Sequence, residues 1–145
     1  MINEEWPIDQ PEAIYAYAYQ FYANGHFEEA RSLFSLLTVM QPDQLNYWMG
    51  LGACLQMQKK YEKALEAYAA AALIDADSLN PLPHFYAAEC LLSLNNVTRA
   101  LQALESAHTI AIKDETYEQL IVHINLIKQA WKEPEVSNGS HKSYK

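Results

Sequence analysis

Apolar residues recur along this chain at three- and four-residue spacing, in blocks divided by short polar breaks at "NG", "QPD", "DADSLNP" and "NN". That recurrence is the period of a helix with one apolar face, and the breaks carry turn and cap chemistry. The pattern predicts helices over Pro11 to Asn24, Phe27 to Met40, Leu45 to Gln58, Tyr61 to Ile74, Pro81 to Leu94 and Val97 to Ile112. A last helix, Asp114 to Lys132, sets Tyr117, Leu120, Ile121, Ile124, Ile127, Lys128 and Trp131 at the same spacing. One stretch breaks the rule. "IYAYAYQFY", from Ile14, alternates Tyr15, Tyr17 and Tyr19 with Ile14, Ala16 and Ala18, which is the period of a strand.

The helices repeat. Aligned on the alanine that closes "HFEEA", "KYEKA" and "NVTRA", the chain places Ala30, Ala64 and Ala100 at spacings of 34 and 36. A period of about 34 residues with W-x2-L-G-x2-Y, then A-x3-F, then P is the tetratricopeptide helix-turn-helix pattern. The second unit matches it with Trp48, Leu51, Gly52, Leu55, Tyr61, Ala64 and Tyr68. The first offers Ile14, Tyr17, Ala18, Phe21, Phe27, Ala30, Phe34 and Pro42. The third offers His84, Ala87, Ala88, Leu91, Val97, Ala100 and Leu104, with two extra residues around Asn80 and Pro81. One unit cannot cover its own apolar face, so units must stack. The expected fold is therefore one all-α domain, 11–132. It holds three tetratricopeptide repeats (about 11–44, 45–80 and 81–113) in a right-handed superhelical solenoid, closed by a C-terminal capping helix, 114–132. A short arm, 1–10, precedes it. The polar stretch 133–145, with Pro134 and Gly139, is expected to be a disordered tail.

The repeat frame also resolves the alternating tyrosines. Ile14, Tyr17, Ala18 and Phe21 take the packing positions of a helix, so the alternation reflects apolar residues on two faces of it. Tyr15, Tyr19 and Tyr22 form the second stripe, rotated about 100° from the first. First helices of such repeats line the concave surface with that face. The same positions continue as Asn46, Met49, Ala53 and Gln56, then as Leu82, Phe85, Glu89 and Leu92. An apolar groove with a few polar groups suits an apolar segment of a partner protein. Neighbouring first helices lie about 8–10 Å apart and an extended chain advances about 3.3 Å per residue. The expected ligand is thus extended, tolerant of Pro, and anchored roughly every third residue.

The strings "YAYAYQFYANGHFEEARSLFSLL", "MGLGACLQMQKKYEKALEAYAAAALID" and "FYAAECLLSLNNVTRA" resemble the class II chaperones of bacterial type III secretion systems. The resemblance runs from about Ile14 to Ile112, and "GLGAC" and "AAECLL" together set it apart from generic tetratricopeptide proteins. It implies a cytoplasmic chaperone that holds a secreted translocator or effector soluble and export-competent. It also implies cargo-gripping aromatics at Tyr15, Tyr19 and Tyr22, the stripe already reached from spacing. Relatives that serve translocators usually carry a longer helical arm, often used in dimerisation, than the residues that precede Pro11 here. Their dimer mode is not carried over, although a homodimer in the absence of cargo is expected from the apolar groove.

Composition narrows the alternatives. A formal net charge of -8 argues against nucleic acid or an anionic membrane as partner. No apolar run approaches the roughly 18 residues of a membrane span, and the acidic N-terminus is unlike a secretory signal. Cys54 and Cys90 lie in apolar stretches without metal-ligand or redox spacing and read as core residues. The five histidines form no HExxH or HxxxH motif, and the serines have no nucleophile-elbow context. Gly50 and Gly52 form G-x-G without a preceding strand, so no phosphate loop is expected. No cofactor and no enzymatic activity are expected. The competing class is a general tetratricopeptide adaptor that reads a peptide carboxylate through converging Lys, Arg and Asn. At the matching positions stand Tyr15, Tyr19, Gly50, Leu82 and Tyr86, which leave a buried carboxylate unpaired.

Overall fold

The computed structural model describes residues 10–143, with side chains as far as residue 131. It contains α1 (Pro11–Ala23), α2 (Phe27–Met40), α3 (Leu45–Met57), α4 (Tyr61–Ile74), α5 (Leu82–Ser93), α6 (Val97–Ala111) and α7 (Glu118–Ser143). A 3-10 turn, Glu115–Tyr117, leads into α7. Among the described residues there is no strand, and the alternating tyrosines lie wholly within α1. No helix of the described residues is long and apolar enough to cross a membrane.

Contacts divide the chain after Ser78 into two compact units, where the sequence alone suggests a single stack. The division falls in the polar "DADSLNP" connection, which forms no helix and where Ser78 adopts φ 52. In the first unit α1 packs on α2, α2 on α3 and α3 on α4; in the second, α5 packs on α6 and α6 on α7. Ala30, Ala64 and Ala100, the three residues aligned by the repeat, are all fully buried. A methyl at each point lets the paired helices approach closely.

The same turn joins the helix pair of every repeat. Gly25, Lys59 and Asn95 hold φ values of 82, 63 and 63, each following the C-cap residue of its helix. The next N–H of each turn donates back across it: His26 to the Phe21 carbonyl, Lys60 to that of Leu55 and Asn96 to that of Leu91, each at 2.8 Å. This left-handed closure satisfies carbonyls that the helix end would otherwise orphan. Asn96 then caps α6, its Oδ1 accepting from the Arg99 N–H at 3.2 Å.

Glycines set the approach of helices in the first unit. A Cβ on Gly52 would lie 2.5 Å from the Tyr68 ring, and one on Gly50 would lie 2.2 Å from the Phe34 ring. Gly52 is thus the small packing position of the repeat. Gly50 performs the same service toward the preceding helix.

Two expectations change. Tyr17, assigned to packing, is 41% exposed. Its counterpart one repeat later, Leu51, packs against the first repeat's core, but no described helix precedes α1 to receive Tyr17 in the same way. The backbone of α7 also continues past Lys132 to Ser143, through the segment expected to be a disordered tail. Propagation adds one hydrogen bond per residue fixed, and Pro134 and Gly139 oppose the helix there without ending it. The arm, residues 1–9, lies outside the described residues.

Candidate functional site

The tyrosine stripe of α1 stands on an aromatic base. Ile14 and Ala18 are buried in the first unit's core, which holds α1 in one rotation, and Tyr15, Tyr19 and Tyr22 flank that contact with their rings against Phe34 and Phe27 of α2. Tyr15 meets Phe34 edge-on at 5.9 Å between ring centroids and meets Tyr47 at 5.4 Å with the rings tilted by 45°. Tyr19 meets Tyr15 at 5.5 Å and Tyr22 at 6.5 Å, both in T-shaped geometry. Tyr22 in turn meets Phe27 at 5.4 Å. Edge-to-face rings at these separations hold one another more firmly than their buried area alone.

Exposure falls along this cluster in a useful way. Tyr19 is 55% exposed, Tyr15 and Tyr22 are half-buried, and Phe34 and Tyr47 beneath them are buried. Burial, together with the neighbouring Tyr19 and Tyr47 phenols, pushes the Tyr15 phenol above its ordinary range. The Tyr47 phenol is raised as well, by burial and then by the Glu12 carboxylate. Its hydroxyl donates to Gln41 Oε1 at 3.3 Å. The face is therefore a preformed apolar surface with neutral hydroxyls, able to take an apolar side chain without first moving a charge.

Asn46, Met49 and Gln56 lie on α3 in the same unit. Asn46 is exposed, Met49 is half-buried, and Gln56 accepts at Oε1 from the Tyr68 hydroxyl at 2.7 Å. Phe34 and Tyr47 were not among the candidates, yet they support Tyr15 directly. The signal for Phe34 was present in Gly50, which has no side chain because the Phe34 ring takes its place.

In the second unit Leu82, Glu89 and Leu92 on α5 are half-buried. Phe85 departs from expectation: it is 4% exposed, inside a core of Ala88, Leu104, Ala107 and Ile124. Its ring packs on His123 at 5.3 Å. The last helix covers the position that the repeat frame leaves open, so Phe85 is a core residue and offers no surface to a ligand.

The remaining chemistry is sparse. Cys54 and Cys90 are buried, and burial pushes both thiols up to about 12. Among the described residues no group of His, Cys, Asp and Glu could hold a metal ion. An open cleft of 590 Å³ lies within the second unit at the α6–α7 connection, lined by Ile112, Lys113, Asp114, Glu115, Glu118 and Ile121. Its mixed charges come from one short connection, and no nucleophile stands in it.

Comparison with known proteins points in one direction. A family model described as tetratricopeptide repeat matches residues 15–81. The low calcium response locus protein H of Yersinia pestis is 30% identical over 132 residues, covering 91% of this chain and 77% of that protein. The type III secretion translocator chaperone SycD of Yersinia enterocolitica, solved as an alternative dimer, superposes with a TM-score of 0.83 at 28% identity. That match covers 88% of this chain and 95% of SycD. PcrH, solved in complex with the chaperone binding region of PopD, superposes with a TM-score of 0.83 at 30% identity, covering 90% of this chain and 96% of PcrH.

Proposed function

This chain belongs to the tetratricopeptide-repeat chaperones of type III secretion, and from that premise we propose that it holds an apolar segment of a secreted translocator or effector on the tyrosine face of α1. The observation that supports this is the ring cluster itself. Tyr15, Tyr19 and Tyr22 are braced by Phe34, Tyr47 and Phe27 while Tyr19 stays more than half exposed. Tyr15 and Tyr22 pack in part on the core of Ile14 and Ala18, but that packing gives no reason for the exposed ring of Tyr19. Asn46, Met49 and Gln56 extend the site along α3 within the first unit. The protein acts in the bacterial cytoplasm as a binding protein and not an enzyme. It needs no cofactor, and without cargo its apolar face favours a homodimer.

The adaptor alternative asks for an asparagine from the second repeat, at position 50. Any side chain there would overlap the Phe34 ring, so a carboxylate clamp has no room to form.

Aromatic anchors dominate interfaces of this kind, and truncating one commonly costs about 2 kcal/mol, roughly thirtyfold in affinity. The double variant Tyr15→Ala/Tyr19→Ala is expected to lose co-purification of the secreted partner while its circular dichroism stays near wild type. Full retention of the partner by the folded double variant would remove this face from consideration.

A further inference from the structure

The outer side of α7 carries an uncharged stripe, where the helix that closes a repeat array normally turns a polar face to water. Its inner side is fixed. Ile124 is fully buried with Phe85 and Leu104, and Lys128 Nζ meets Glu105 Oε1 of α6 at 2.7 Å. At about 100° per residue, the side opposite Ile124 presents Gln119, Val122, Leu126 and Gln129. All four are exposed, Val122 by 53% and Leu126 by 61%. In a chain of formal net charge -8, none of these four positions is ionisable.

The stripe is a palindrome. Its spacings are three, four and three, and from either end it reads Gln, aliphatic, aliphatic, Gln. Alternating three and four is the spacing of a coiled-coil seam. A seam that reads the same both ways fits itself about a two-fold axis, since in an isologous contact residue i meets j while j meets i. With the axis at the level of Ile124 and the helices antiparallel, Val122 meets Leu126 of the second copy. Gln119 then meets Gln129, and each amide can both donate and accept. Charge selects the direction. Glu118 is exposed at the border of the stripe, and a parallel pair would set the two Glu118 carboxylates side by side. The antiparallel pair sets each against Ala130 and separates them by about 18 Å, at about 1.5 Å per residue, well beyond the Debye length of about 8 Å.

We infer that α7 is a self-association surface, through which two copies of this chain pair with their α7 helices antiparallel, Val122 and Leu126 at the centre and Gln119 and Gln129 at the rim. The symmetry of the stripe favours a second copy over an unrelated partner, which has no need of it. Three turns of helix make a contact at the small end of protein interfaces, so the pair exchanges with monomer. The contact shares no residue with Tyr15, Tyr19 or Tyr22, and it does not depend on the tyrosine face being the cargo site.

Sedimentation velocity of full-length chains, from about 1 μM to about 1 mM, tests this. The parent carries Tyr19→Ala, which removes the exposed ring of the tyrosine face without touching α7, so that pairing through that face does not mask the result. The parent is expected to approach twice the chain mass. Adding Val122→Glu/Leu126→Glu should leave it monomeric with its circular dichroism unchanged, since both side chains are exposed. Two rim variants read the register and decide the matter alone if that variant misfolds. Gln119→Glu/Gln129→Lys places opposite charges together twice in the antiparallel pair and should hold or tighten it. Gln119→Lys/Gln129→Lys sets lysine against lysine twice and should bind about tenfold or more weakly than the first, even though it lowers the net negative charge. A parent that stays monomeric, association that survives Val122→Glu/Leu126→Glu in a folded chain, or equal weakening by the two rim variants overturns the proposal. If wild type pairs while the Tyr19→Ala parent does not, pairing belongs to the tyrosine face and only the α7 contact is refuted.

Discussion

At the scale of single residues, two positions carry more than their type suggests. Gly50 has no side chain because Phe34 fills that volume, although Ala would suit a helix better by about 1 kcal/mol. Overpacking a filled core costs about 1–3 kcal/mol, so Gly50→Ala is expected to lower the urea midpoint, and Phe34→Leu in the same chain to restore part of the loss. Failure of the second change to help would mean that the clash is relieved elsewhere. The Tyr15 and Tyr47 phenols supply a pH dependence of definite sign. Both are raised in the folded chain, so the unfolded chain gives up its phenol protons first as pH rises. Their contribution is complete below the ordinary phenol value of about 10 and is lost as pH climbs through the folded values. From these two groups urea midpoints should hold up to about pH 10 and fall above it, and the fall should shrink in Tyr15→Phe. The tyrosine stripe was legible in the sequence because helical spacing decides which side chains share a face. The support from Tyr47 was not legible, since that contact joins α1 to α3 and no local pattern announces it.

At the scale of elements, the helices were legible almost to their ends, and the recurring turn explains why. Gly25, Lys59 and Asn95 occupy one backbone geometry in three repeats, yet only the first is glycine. A lysine in the left-handed region bears a steric cost of roughly 1–2 kcal/mol, while glycine loses more entropy on folding. Lys59→Gly is expected to raise thermal stability by the difference, on the order of 0.5–1 kcal/mol, in a calorimetric melt. An unchanged or lower melting temperature would show that the Lys59 side chain contributes more than its backbone costs. The end of α7 was less legible, because the polar composition after Lys132 reads equally as coil or as the exposed continuation of a helix already nucleated.

At the scale of the whole molecule, each compact unit contains one buried cysteine, Cys54 in the first and Cys90 in the second. With both thiols pushed up to about 12, the reactive thiolate is rare at pH 8 and sits behind packed side chains. Native protein is expected to react with a disulfide reagent only slowly and to expose both thiols in urea. Cys54→Ser and Cys90→Ser would then report the opening of each unit separately, and rapid labelling of either native variant would contradict the burial. The sequence by itself determined the repeat, its helix pairs, the alanines at their crossings and the tyrosine face of α1, because each follows from spacing along one helix or from a fixed period. Tertiary structure alone decided that Phe85 lies under His123 and Ile124, that Tyr17 faces outward and that packing divides after Ser78. Spacing fixes the side of a helix on which a residue stands; whether that side is core or surface depends on which distant segment comes to cover it.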